Sequence, residues 1–285
     1  MRNATALLAV VWLAAPLPAQ DMPLSQVLID GETWRPVGAK YAEVGSLACD
    51  AAGQIHVASA KQIDRLDAQG KATLFAKTDA PVSGMAFAKD GRLIACVPET
   101  RQVVAIDAEG KASVVVDGLA AHDVAVLPDG ALYLSVPGER AVYLVRGSKQ
   151  QRVDEGIAQP AGLTLWPDAG TLVVGDGGGK QLFALRVDKE GALSARAGYY
   201  TLRPAPGKKL AGTGPLAVDS TGRLYAASDL GVQIFDTTGR MSGVLLQPVR
   251  AAATALCFGG PKHDHLYAAF GGQIFARATR VKGAR

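Results

Sequence analysis

Five side chains of this sequence could do chemistry together if the fold gathered them: Glu43, Ser83, His122, Asp123 and Asp176. His122 and Asp123 stand side by side in "AAHDVAV". An imidazole and a carboxylate can act as acid and base, or hold a zinc ion jointly. Glu43 lies in "YAEVGS", Ser83 in "PVSGMAF" and Asp176 in "VVGDGGGKQ", so all the candidates are spread along the chain. Each also has a plainer reading: Glu43 facing solvent, Asp123 bonding loop backbone, Asp176 shaping a turn. Contiguous catalytic signatures are missing. There is no G-x-S-x-G elbow and no H-E-x-x-H helix. In "VVGDGGGKQ" no Ser or Thr follows the Lys and the glycine spacing is wrong for a phosphate cradle, so it reads as a hairpin turn. His263 and His265 of "PKHDHLY" make a weak metal pair and are expected on the solvent side of a hairpin.

Gathering such scattered residues requires a repeating scaffold, and the chain has one. Six versions of one phrase recur: "LACDAAGQIHVAS", "MAFAKDGRLIACV", "VAVLPDGALYLSV", "LTLWPDAGTLVVG", "LAVDSTGRLYAAS" and "LCFGGPKHDHLYAAF". Each is an apolar strand, a turn rich in Asp, Gly or Pro, and a second apolar strand. Further alternating runs follow, as in "QIDRLDAQGKATLFA", "QVVAIDAEGKASVVV" and "GVQIFDTTGRMSGVLL". The unit is a four-stranded antiparallel meander at a spacing of about 40 to 50 residues, the period of propeller blades. The fold class is therefore all-β, a six-bladed propeller. The last repeat lacks an outer strand, and "QVLIDGETWRPVG" near the start is expected to supply it, removing two sheet edges. In such a ring the residues just before each inner strand meet near the axis. The long break "YYTLRPAPGKKLAGTG" reads as a surface loop.

Bulk properties narrow the setting. Residues 1–20, "MRNATALLAVVWLAAPLPAQ", read as an export signal, with Arg2 ahead of an apolar core too short to span a bilayer. Residues 21–285 then form one propeller domain, exported to a periplasmic or extracellular space, with no membrane span after cleavage. Net charge is +4 with basic residues scattered, which argues against nucleic acid as a partner. Cys49, Cys96 and Cys257 lie in apolar stretches and read as buried thiols without a disulfide framework.

"VLIDGETWRPVG", "RVDEGIAQPAGLTLWPD", "LYAASDLGVQIFD" and "FGGPKHDHLYAAFGGQIFARATRVKG" resemble bacterial members of the regucalcin/gluconolactonase family, also called senescence-marker-protein and luciferin-regenerating-enzyme-like. The resemblance covers nearly the whole mature chain. It implies a six-bladed propeller and hydrolysis of a sugar lactone at a calcium or zinc ion in the central funnel. It also implies a metal-binding Glu, Asn and Asp, and these fall on Gly45, Ala161 and Gly214. A substrate-side Asn falls on His122, with the following Asp kept as Asp123, and the Asn-Gly of the second blade falls on Ser83-Gly84.

Gly and Ala offer no side-chain oxygen and no charge to offset the dehydration of a cation. The sequence thus points to a monomeric propeller with a degenerate metal site and no expected cofactor, binding a sugar-like or lactone-like small molecule or a protein at its funnel. The alternative is a lactone or ester hydrolase with a site rebuilt around His122 and Asp123, assisted by Glu43 and Asp176, using calcium or zinc only in that case.

Overall fold

A computed structural model describes residues 23–284; the expected export signal lies outside the described residues. Among the described residues, twenty-four strands form six four-stranded antiparallel sheets. The inner strands are Ser46–Cys49, Gly84–Phe87, Asp123–Val126, Pro160–Leu165, Leu216–Val218 and Ala253–Gly259. In the first five blades the sheet order follows the chain order. In the sixth, the outermost strand is Arg35–Val37, which pairs antiparallel with Gln273–Ala278, so the start of the described chain completes the last blade. The protein is a six-bladed β-propeller.

Six of the hairpin turns share one physical cause. Asp50, Asp67, Asp107, Asp188, Asp219 and Asp236 each accept, on one carboxylate oxygen, the backbone N–H groups two and four residues later. The glycine three residues on, Gly70 for example, takes a φ of +78° that a side chain would resist. The Asp-x-x-Gly unit therefore reverses the chain over the three residues that follow the Asp, and fixes the register of the strands on both sides.

No blade carries a core of its own. The buried apolar residues fall into six clusters, and each fills a seam between two consecutive blades, the last joining the sixth blade to the first. That explains why whole strands such as Ile55–Ser59, Leu93–Val97 and Leu224–Ser228 are buried on both faces. The seam between the fifth and sixth blades is covered from outside by Leu24, Leu28 and Trp34. No helix of the described residues is long and apolar enough to cross a membrane.

Candidate functional site at the axial end of the inner strands

The strand registers put one residue of each blade in the same place. Gly45, Ser83, His122 and Gly214 each donate their backbone N–H to the second strand of their own blade, to the carbonyls of Ala58, Cys96, Ser135 and Ala227. Cross-strand pairing gives Ala161 and Thr254 the same position in the fourth and sixth blades. The ring of six at this end of the axis is thus Gly45, Ser83, His122, Ala161, Gly214 and Thr254. Thr254 had no counterpart in the sequence reading. Its position is displaced by an irregularity between Ala253 and Ala255, and it lies exposed.

Around this ring the inner strands approach one another backbone to backbone. A Cβ at Gly45 would stand 2.3 Å from the Val82 carbonyl oxygen of the next blade. One at Gly162 would stand 2.5 Å from the Gly214 carbonyl oxygen. At Gly84 it would meet the Asp123 carboxylate at 2.4 Å and the His122 carbonyl at 2.7 Å. The neighbouring strand occupies the direction in which a side chain at these glycines would start.

Three of the sequence candidates meet on neighbouring blades. Ser83 donates its hydroxyl to the His122 carbonyl at 2.7 Å, tying the second blade to the third. Asp123 reaches further: Oδ1 accepts from Val124 N at 2.9 Å, and Oδ2 from Leu163 N of the fourth blade at 2.8 Å. With Gly84 against its other side, the carboxylate spans three inner strands. The Leu163 N–H is available because Pro160–Leu165 is the inner edge of its sheet, where alternate N–H groups face away from the neighbouring strand of the same blade. Burial pushes the Asp123 carboxyl up to about 7, against the two backbone donors, which favour the ionised form.

Behind Asp123 stands Ser135, fully buried in the second strand of the third blade. Its Oγ accepts from Asp123 N at 3.1 Å and donates to the Ala161 carbonyl at 2.6 Å. This residue was not anticipated, although a lone hydroxyl in the apolar run "LYLSV" was a signal for it. The His122 imidazole is half-buried, and its Nδ1 is enclosed without a hydrogen-bond partner. Burial holds its pKa below the ordinary value, so the ring is neutral at pH 7. Neither oxygen of the Asp123 carboxylate is bonded to that ring; both accept backbone N–H groups.

The remaining candidates stand apart. Glu43 is exposed on the loop before the first inner strand. Asp176 caps the turn after the second strand of the fourth blade, with Oδ1 accepting from Gln159 N and Gly178 N at 3.0 Å each. His263 is a correction: it is 7% exposed rather than on the solvent side, because a left-handed turn at φ +54° folds it beneath the first blade. His265 is half-buried and bonded to Asp264 at 2.8 Å. Among the described residues, no group of three or more His, Cys, Asp or Glu is arranged to hold a metal ion. Two surface clefts of about 430 and 450 Å³ lie on the blade flanks, and neither is lined by a residue of the axial ring.

The sequence model of the SMP-30/Gluconolactonase/LRE-like region matches residues 58–270. The chain belongs to this family. Its fold is shared by solved structures of low sequence identity. A structure described as that of a gluconolactonase by family has a TM-score of 0.81 at 21% identity, over 92% of this chain and 97% of the other. A gluconolactonase of Xanthomonas campestris gives 0.78 at 23%, covering 90% and 92%. Regucalcin from Agrobacterium tumefaciens, a calcium-binding protein, gives 0.74 at 17%, covering 88% and 96%. No curated protein matches the sequence. Within the family's propeller, the positions to which the resemblance assigns a metal-binding Glu, Asn and Asp here carry no side-chain donor.

Proposed function

We propose that this protein is a gluconolactonase-like propeller whose metal centre is degenerate, and that it binds a small sugar-like or lactone-like molecule at the ring of inner-strand starts. The observation that carries this reading is Gly45. It lacks a donor, and the Val82 carbonyl 2.3 Å from a Cβ there closes the space from which a carboxylate would reach inward. Ala161 and Gly214 add no side-chain oxygen to replace it. A hard divalent cation needs several oxygen ligands, at least some of them charged, to repay its lost water. What this end of the ring does offer is hydrogen-bonding chemistry: the exposed Thr254 hydroxyl, and the Ser83 hydroxyl, which donates to the His122 carbonyl and keeps its acceptor capacity. Such groups suit the hydroxyls and carbonyl of a small polar ligand. The apolar stretch at residues 1–20 supports export, and the full ring of blades supports a monomer.

A second reading has one observation in its favour. A carboxyl poised near neutrality, such as Asp123, is what a general acid or base needs. Against it, the carboxylate is committed to two backbone N–H groups, and the adjacent imidazole is not its partner.

Metal analysis of gently purified protein, together with gluconolactone hydrolysis measured with and without added calcium, zinc or manganese, separates the two readings. The binding reading expects no stoichiometric ion and no rate above background. A catalysed rate that His122→Ala or Asp123→Ala abolishes would establish the hydrolase instead.

A further inference from the structure

The seam that closes the ring holds a chemistry unrelated to the axial ring. Cys49 ends the inner strand of the first blade, and Cys257 lies on that of the last. Both pack against the apolar cluster of this seam, beside Leu47, Ile55 and Ala255. Alternation along each strand points both thiols into this one seam, and a Cβ at Gly259, two residues beyond Cys257, would stand 3.3 Å from Cys49 Sγ. Burial first, and then the Cys49 thiol, hold the Cys257 pKa well above the ordinary range. Neither is fully enclosed, whereas Cys96 is completely buried in a different seam, between the second and third blades.

His263 completes the cluster. Its Nδ1 is 3.6 Å from Cys49 Sγ, and its Nε2 is 3.3 Å from the Ala51 carbonyl oxygen. A carbonyl only accepts, so the ring proton belongs on Nε2 and Nδ1 turns its lone pair to the thiol. The Cys49 thiol also lies 3.3 Å from the Asp50 carbonyl oxygen, but of these two acceptors only the imidazole can take the proton away. The hairpin turns that carry the groups are locked together: Gly260 N donates to Gly53 O at 2.9 Å, and a Cβ at Gly53 would stand 2.0 Å from the Gly260 carbonyl oxygen.

We propose that Cys49 is a nucleophilic thiol served by His263 as base, and that a small hydroperoxide converts Cys49 and Cys257 to a disulfide stapling the first blade to the last. His263 Nδ1 accepts the Cys49 proton, and the thiolate attacks the terminal peroxide oxygen. The S–O bond forms as the O–O bond breaks, and the imidazolium returns its proton to the departing alkoxide, or to hydroxide where the oxidant is hydrogen peroxide. The Cys257 sulfur then attacks the Cys49 sulfenic acid. The S–S bond forms, the S–O bond breaks, and the Cys257 proton leaves with hydroxide as water. Two thiols and one hydroperoxide become one disulfide, one alcohol or water molecule and one further water. The link spans nearly the whole ring, so the closure held by Arg35–Val37 becomes covalent as well.

The test treats the full-length reduced chain with hydrogen peroxide and maps the thiols by mass spectrometry after non-reducing digestion. The expected result is an intramolecular Cys49–Cys257 peptide, with Cys96 still alkylatable after unfolding, and a melting temperature raised by about 5 °C or more that reductant reverses. In Cys257→Ala, dimedone should trap Cys49 as its sulfenic acid adduct. His263→Asn, which keeps a residue tolerant of the left-handed backbone but removes the base, should slow oxidation of Cys49 at least about tenfold. Equal oxidation of Cys49 and Cys96, cross-linked dimers in place of the internal bridge, or an unchanged rate in a folded His263→Asn would overturn the proposal. Should that variant fail to fold, the comparison of Cys49 with Cys96 and the dimedone result in Cys257→Ala still decide the matter.

Discussion

Asp123 keeps a carboxyl group where three inner strands converge, and the energetic consequence is a pH dependence of stability. Its folded pKa, about 7, lies above the unfolded value of about 3.9. Between those two values the folded chain holds a proton that the unfolded chain has released, so stability falls as pH rises from about 4 to about 7 and levels off above. The half-buried His122 and the buried His56 act in the opposite sense, because their lowered pKa values cost stability as pH drops below about 6.5. Urea titrations of wild type and Asp123→Asn across this range separate the two: the variant should lose the fall between pH 4 and 7 and keep the acid-side loss. Gly45 gives the second prediction at this scale. Gly45→Glu restores the type of side chain that the resemblance implies, yet the Val82 carbonyl stands where its Cβ must go. It should destabilise the fold by about 1–3 kcal/mol in chemical denaturation and still bind no calcium by isothermal titration.

At the scale of elements, the strand Arg35–Val37 closes the ring. It covers the edge of Gln273–Ala278, and next to it Trp34 stacks edge-on against Phe270 and donates its indole N–H to the Leu246 carbonyl at 3.1 Å. Removing residues 23–37 bares that edge and strips the apolar cover of the seam, so size-exclusion chromatography should show self-association and the melting temperature should drop. Ser135 plays a smaller part of the same kind. Ser135→Ala orphans Asp123 N and the Ala161 carbonyl, both inside the protein, and should cost about 1–3 kcal/mol in chemical denaturation. Strands and turns were the legible part of the chain. Asp-x-x-Gly turns are local, since one side chain bonds backbone two and four residues away, and the strands between them alternate visibly. Even the closing strand was legible, because a missing outer strand in the last repeat and a surplus one at the start are both features of the linear text. Thr254 was hidden by a register slip that no local residue type announces, and His263 by a left-handed turn that reversed its direction.

On the scale of the whole molecule, stability belongs to the seams. Every apolar cluster is shared by two blades, so no blade can unfold without exposing faces of both neighbours. Near-ultraviolet and far-ultraviolet circular dichroism should therefore report one coincident thermal transition, and two separated transitions would show that the seams are not equivalent. By itself the sequence determined the blade count, the closing strand, the family and the absence of side-chain donors at Gly45, Ala161 and Gly214, because each of these is written in short-range pattern or in residue identity. Only the tertiary structure decided that Asp123 is held by the fourth blade, that the backbone of Val82 faces Gly45, and that Cys49, Cys257 and His263 share one seam. Those contacts join residues tens to hundreds of positions apart. Their distances are fixed by how closely neighbouring blades pack around the axis, which no stretch of sequence encodes alone.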